Sequence, residues 1–177
     1  LEHTATPHGV DKAVPVPCCC CLWHRGVMDD APAVGLVLAA VDASAAAVET
    51  VEVAAAVAAR YGAALHVVHM LGGTDIDGLT SGALDPATVA ADGAALEQTA
   101  QTIAADAGVA VATSVTAGFS TASKLRHPGS VVCDTADQAG ADLIVLPREP
   151  LTGAPGEVLE KAAEYVLLYA SQPVISV

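Results

Sequence analysis

From residue 34 onward the chain alternates short, unbroken apolar runs with longer stretches in which apolar residues recur every three or four positions. VGLVLAAV at 34–41 and LIVL at 143–146 are runs of the first kind, and ALHVVHML at 64–71 is one interrupted only by His66 and His69. A run without a polar face suits a strand of a parallel sheet, because helices cover such a strand on both sides. Val109, Val111, Thr113 and Val115 alternate with smaller partners and predict another strand, and Val174 to Val177, following Pro173, predicts a last one. The intervening stretches have helical spacing. Ser44 to Tyr61 places Val48, Val51, Ala55 and Ala58 on one stripe, with Glu49, Glu52 and Arg60 toward the other face. Val89, Gly93, Leu96, Ala100, Ile103 and Ala107 alternate steps of four and three, which predicts a second helix with a clean buried face. A third helix is expected over 130–139, and a fourth through Val158, Leu159, Ala162, Ala163, Val166, Leu167 and Ala170.

The punctuation agrees with these periods. Gly62 and Gly108 stand where the first two helices should stop, and Asp85-Pro86 is a helix start with a capping carboxylate and a proline in the first turn. Asp42-Ala43-Ser44 follows the first strand, and either Asp42 or Ser44 can cap the first helix through a side-chain oxygen. Five strands alternating with four helices define an α/β protein, doubly wound and Rossmann-like, with a parallel sheet and helices on both faces.

Composition narrows the partners. Hydrophobic residues make up 53% of the 177, but aromatics only 3%, so the core must be built from small side chains packed closely. The formal net charge of −13 argues against nucleic-acid and anionic-membrane binding, which need basic patches. No apolar run approaches the roughly 20 residues of a membrane-spanning helix.

Residues 1–30 follow neither period. They hold His3, His8, His24, Pro7, Pro15, Pro17 and the run Cys18-Cys19-Cys20-Cys21. Prolines interrupt the apolar part and no small-x-small cleavage site follows, so a secretory signal is a poor fit. Consecutive Cα atoms are about 3.8 Å apart and their side chains diverge, whereas zinc motifs separate their ligands by two or more residues. Neighbouring cysteines are also too close for an unstrained disulfide, which prefers Cα separations of about 4.4–6.8 Å. The expectation is a disordered leader with reactive thiols and no metal, ahead of one domain over 31–177.

Other polar residues have ordinary readings. His66 and His69 lie three apart on a predicted strand, so they face opposite sides and cannot share a metal. Asp75 and Asp77 fall in a polar, glycine-rich connection, where they are expected to be solvated. Lys124, Arg126 and His127 make the one concentrated basic spot, within a stretch, Phe119 to His127, read as a solvated loop. Cys133 lies alone on a predicted helix and reads as a small buried hydrophobe.

GADLIVLP at 140–147 and AEYVLLYASQPVISV at 163–177 carry a resemblance. They are similar to the carboxyl half of universal stress protein (UspA) domains, which read GADLIVVG, a glycine-rich loop, and then a helix and strand like GSVSEYVLRHAPCPVLVV. The resemblance extends over 34–177 and is loose between Gly72 and Pro128, where Phe119 to His127 reads as an insertion. With right-handed crossovers it implies the strand order 3-2-1-4-5. Nucleotide-binding members of that family cradle phosphates with Gly-x-x-Gly, nine residues, and then Gly-Ser or Gly-Thr.

Laid on this chain without a gap, the two loop glycines fall on Pro147 and Pro150, and the Gly-Ser falls on Glu160 and Lys161. A cradle works through inward-pointing backbone N–H groups, with glycines permitting close approach. Proline has no N–H, and Glu160 would set a carboxylate where a phosphate oxygen should rest. Arg148 and Lys161 could return positive charge, and Gly153 and Gly156, correctly spaced but six residues late, could form a shifted nest. Val41 to Ser44 also resembles the family's Val-Asp-Gly-Ser, whose Asp, here Asp42, lies beside the ribose in nucleotide-binding members, and Met70 falls where the family's adenine contacts cluster. These nine positions, Val41, Asp42, Ser44, Met70, Pro147, Arg148, Gly153, Gly156 and Lys161, are the candidate nucleotide cleft, read as vestigial.

The resemblance thus leads to a cytoplasmic stress-response regulator of the non-ATP-binding type, with no cofactor and no enzymatic activity. It would act by partner contact and by homodimerisation through the last strand. The alternative is an adenine-nucleotide-binding protein with an altered phosphate loop, weak ATPase included.

Overall fold

The central strand of the sheet is β1, Leu36–Val41, whose residues from Val37 onward are all buried. In a computed structural model the described residues are 33–72, 81–83, 85–117, 127–148 and 162–177. The leader with Cys18 to Cys21, both loop aspartates, 118–126 with Lys124 and Arg126, and 149–161 with Gly153, Gly156 and Lys161 lie outside them.

β1 pairs in parallel with β2, Ala64–Leu71, on one side and with β4, Leu143–Leu146, on the other. β3, Val111–Ala117, extends the sheet beyond β2, and β5, Val174–Ser176, extends it beyond β4. The order is β3-β2-β1-β4-β5, as expected. The connecting helices are α1, Ala46–Tyr61; α2, Pro86–Ala107; α3, Pro128–Ala139; and α4, Ala162–Tyr169.

The period-2 geometry of the strands divides the core in two. Val37, Ala39 and Val41 face one side of the sheet, where they meet Leu65, Val67 and Val145 and are covered by Val51, Ala54, Ala55 and Ala58 of α1 and Ala100 and Ala104 of α2. Leu38 and Ala40 face the other side, with Val68, Met70, Ile144 and Leu146, beneath Val131, Val132 and Ala136 of α3 and Ala162, Ala163 and Val166 of α4. Alanine supplies much of both helix surfaces. It lets the helices sit close to the sheet, which is how a chain with so few aromatics fills a core.

The helix ends follow local chemistry. Gly62, Gly108 and Gly140 close α1, α2 and α3 at φ of 67°, 69° and 67°, a left-handed conformation that a Cβ would strain. Asp85 caps α2 by accepting from the Ala87 N–H at 3.1 Å. The cap expected of Asp42 or Ser44 on α1 is not formed. Ala45 holds the N-cap position, in helical conformation and without a side-chain bond, because the chain makes one further turn before the helix begins. β1 starts two residues later than the apolar run, and β3 runs 111–117 rather than 109–115. α3 begins at Pro128 rather than Ser130.

The buried stripe read along α2 is only partly covered. Ala100 and Ala104 are fully buried, but Val89, Gly93, Leu96, Ile103 and Ala107 are half-exposed. Period alone reports which face is apolar, not how closely the sheet approaches it.

Candidate functional site

Parallel pairing puts the carboxyl ends of β1, β2 and β4 along one edge of the sheet. Ala39 pairs with Val145, so two residues further along each strand Val41 and Pro147 reach the same level, with His69 opposite Val41 on the other side. Between β1 and β4 the winding reverses, which is where ligands bind in open α/β sheets. Val41, Asp42, Met70, Pro147 and Arg148 therefore share this edge.

Their side chains do not converge equally. Val41 packs into the core under α1, whereas Met70 packs into the opposite core. Asp42 is 2% exposed, and its Oδ1 accepts from the Ser44 N–H at 3.0 Å in an Asx turn. The Ser44 carbonyl in turn accepts from the Ala47 N–H at 3.2 Å. Asp42 and Ser44 thus shape the turn between β1 and α1.

Pro147 is buried and Arg148 is exposed. The Val177 N–H donates to the Leu146 carbonyl at 3.0 Å, and the Arg148 N–H donates to the Val177 carbonyl. Ladder pairing with the last strand thus continues past β4 into the loop. Pro147 carries no N–H and that of Arg148 is engaged, so the first two loop residues offer no free backbone donor toward the edge. A groove of about 540 Å³ beside them is lined by Arg148, Ala163, Glu164, Leu167, Leu168 and Ser176.

Several contacts depend on residues far apart in sequence. The Asp142 carboxylate accepts from the Gly35 and Leu36 N–H groups at 2.8 and 3.0 Å, closing the amino end of β1 from 107 and 106 residues away. His66 and Ser114, on neighbouring strands, share a hydrogen bond of 2.9 Å between Nε2 and Oγ. Burial lowers the His66 pKa from its usual 6.5 by disfavouring the charged ring. His127 forms the N-cap of α3. Its Nδ1 accepts from the Gly129 N–H at 3.1 Å, and its ring stacks on Tyr165 at 4.7 Å. Tyr165 in turn meets Tyr169 at 4.5 Å.

His127, expected in a solvated loop, is therefore tied to the fold, although the residue as a whole remains exposed. The dipeptide His127-Pro128 was the available signal, since proline is favoured at the first helical position. Cys133 is half-buried, with its thiol pKa raised by burial and by the negative charge of Asp137. His66 and His69 lie on opposite faces, as their spacing requires. Among the described residues no group of three or more His, Cys, Asp and Glu could hold a metal ion. No described helix is long and apolar enough to cross a membrane.

The five-stranded sheet, its 3-2-1-4-5 order and the reversal of winding between β1 and β4 define a small Rossmann-like α/β protein. A model of the universal stress protein family matches residues 35–177, and the chain belongs to that family. Among solved structures, universal stress protein UspA from Lactobacillus plantarum is similar at 27% identity and a TM-score of 0.61, over 81% of this chain and 97% of that one. A universal stress protein in complex with cAMP is similar at 21% identity and a TM-score of 0.58, over 82% and 97%. One from Archaeoglobus fulgidus in complex with dAMP is similar at 22% identity and a TM-score of 0.54, over 81% and 96%. The last two likenesses concern the fold. No curated protein sequence matches the chain.

Proposed function

We propose that this universal stress protein is a stress-response regulator of the non-ATP-binding type, a single cytoplasmic domain over 31–177 that acts by homodimerisation and partner contact rather than by catalysis. The observation that carries this reading is at the exit of β4. A phosphate cradle there would rely on inward N–H groups, but Pro147 has none and the N–H of Arg148 is paired with Val177. Further along the loop, the sequence puts Pro150, Glu160 and Lys161 at the family's remaining glycine and Gly-Ser positions.

Dimerisation is supported by β5. It is an outer strand, half-buried throughout, and Val174 to Val177 carries no lysine or internal proline to discourage pairing with a second copy. An antiparallel pairing of two such strands is self-complementary about a two-fold axis. Leu167, Leu168 and Tyr169 of the adjoining α4 are 59%, 69% and 66% exposed, which adds apolar surface beside that edge.

A second reading, binding of an adenine nucleotide through an altered loop, is favoured by the buried Asp42 at the end of β1 and the exposed cation of Arg148. The two relatives described as complexes with cAMP and with dAMP lend it weight. Calorimetric titration of the full chain with Mg-ATP, and separately with AMP, distinguishes the two. The non-binding reading expects no saturable heat for either. Micromolar affinity, or nucleotide retained through purification, would overturn it.

A further inference from the structure

The first half of α2 stands away from the sheet. Its apolar stripe begins at Val89, yet full burial begins only at Ala100. The gap beneath is a cleft of about 510 Å³, walled by Val67, His69 and Val115 of the sheet and Val89, Gly93 and Glu97 of the helix. That volume lies within the roughly 300–1,000 Å³ of small-molecule sites. It opens under the β2–β3 pair, whereas Pro147 and Arg148 lie across β1 on the other side of the sheet's centre.

Gly93 is the informative residue. A glycine inside a helix destabilises it by up to about 1 kcal/mol relative to alanine. Packing does not require it here, because a Cβ at this position would lie 3.8 Å from His69 Nδ1 and 4.0 Å from a Val115 methyl, both ordinary contacts. What a side chain would take up is the space of the cleft.

We propose that this cleft binds a small apolar amine, a compact ring or hydrocarbon carrying one protonated nitrogen. Val67, Val89, Val115 and the neighbouring alanines supply the apolar walls, and the half-buried Thr113 a polar group within them. Glu97 is the one formally charged residue among the described lining residues, and it is exposed. One of its carboxylate oxygens accepts from Gln101 Nε2 at 3.1 Å, and the other keeps acceptor capacity for an ammonium group. The same carboxylate, on a chain of net charge −13, repels phosphates and carboxylates. The site therefore selects against phosphate-bearing ligands, nucleotides included.

The test is an amide-resolved NMR titration of the isotope-labelled full chain with phenethylamine, 2-phenylethanol and 3-phenylpropionate. Phenethylamine is expected to shift the Gly93, Thr113 and Val115 resonances saturably. The alcohol should bind about tenfold more weakly, in line with the loss of a charge-assisted hydrogen bond, and the carboxylate should not bind. Glu97→Gln, which keeps the side chain's size and removes its charge, should reduce the amine to the affinity of the alcohol. Gly93→Leu should abolish binding of both by filling the cleft. If Gly93→Leu does not fold, Glu97→Gln decides alone. Absence of saturable shifts with the amine, equal binding of amine and carboxylate, or unchanged amine affinity in Glu97→Gln would overturn the proposal.

Discussion

Two glycines on helices of this protein should respond to alanine in opposite directions. Gly129 lies in the first turn of α3, where that helix crosses α4. A Cβ built on it would fall 2.6 Å from Tyr165 Cβ, 2.9 Å from the Ala162 carbonyl oxygen and 2.9 Å from Tyr165 Cδ1. All three lie below 3.0 Å. Two of the atoms, a carbonyl and a Cβ, are fixed to backbone, so relief requires moving α4 rather than turning a side chain. Overpacking of this kind typically destabilises by about 1–3 kcal/mol. The movement would also disturb the stack of Tyr165 on His127, whose Nδ1 caps the Gly129 N–H. Improved helix propensity offsets at most about 1 kcal/mol.

Gly129→Ala should therefore lose roughly 1–2 kcal/mol, which for a chain of this length lowers Tm by about 2–8 °C. Gly93→Ala meets only contacts of 3.8 and 4.0 Å and should gain up to about 1 kcal/mol. Urea denaturation followed by circular dichroism, with calorimetric Tm as a second measure, reads both variants against the parent. A Gly129→Ala protein as stable as the parent would refute the close crossing of α3 and α4. Equal gains in both variants would show that propensity alone governs these sites.

If β5 joins two copies, Ile175→Lys should shift the mass measured by light scattering from dimer toward monomer, and a monomeric parent would refute the dimer itself. His66 predicts a pH effect: its folded pKa lies below the unfolded value near 6.5, so its neutral form stabilises the fold above that value, and stability is lost as pH falls from there toward the folded pKa. His66→Gln, which keeps a polar partner for Ser114, should therefore lose less stability than the parent between neutral and mildly acid pH, and equal losses would remove His66 as the cause. A chain beginning at Met28 should keep the parent's thermal midpoint, because the preceding sequence lacks either hydrophobic period. A large fall, or stoichiometric zinc found in the full chain by elemental analysis, would show that the cysteine run contributes to the fold.

Much of this architecture is determined locally. Leu143–Leu146 is a strand at the bounds of its apolar run, because a fully covered parallel strand is apolar throughout, and Ala64–Leu71 keeps the bounds of its run although His66 and His69 interrupt it. Gly62 and Gly108 stop their helices because a left-handed residue is needed there and glycine takes that conformation without a Cβ penalty. The prolines and charged residues of the β4–α4 loop argue against a phosphate cradle from sequence alone, since a missing N–H is a property of the residue.

The tertiary structure decided whatever depends on a partner distant in the chain. β1 begins at Leu36 rather than at residue 34 because a strand lasts only as long as its neighbours. Its first partner on β2 is Ala64, and Asp142 holds the Gly35 and Leu36 N–H groups just at that boundary. The 111–117 span of β3 follows from the length of β2, which pairs with it from Leu65 to Leu71. Pairing of the Arg148 N–H with Val177 likewise needs β5 in place. The stripe of α2 marked an apolar face correctly, but hydrophobic period carries no distance. Only the assembled sheet separates Ala100, in contact with the core, from Gly93, above a cleft.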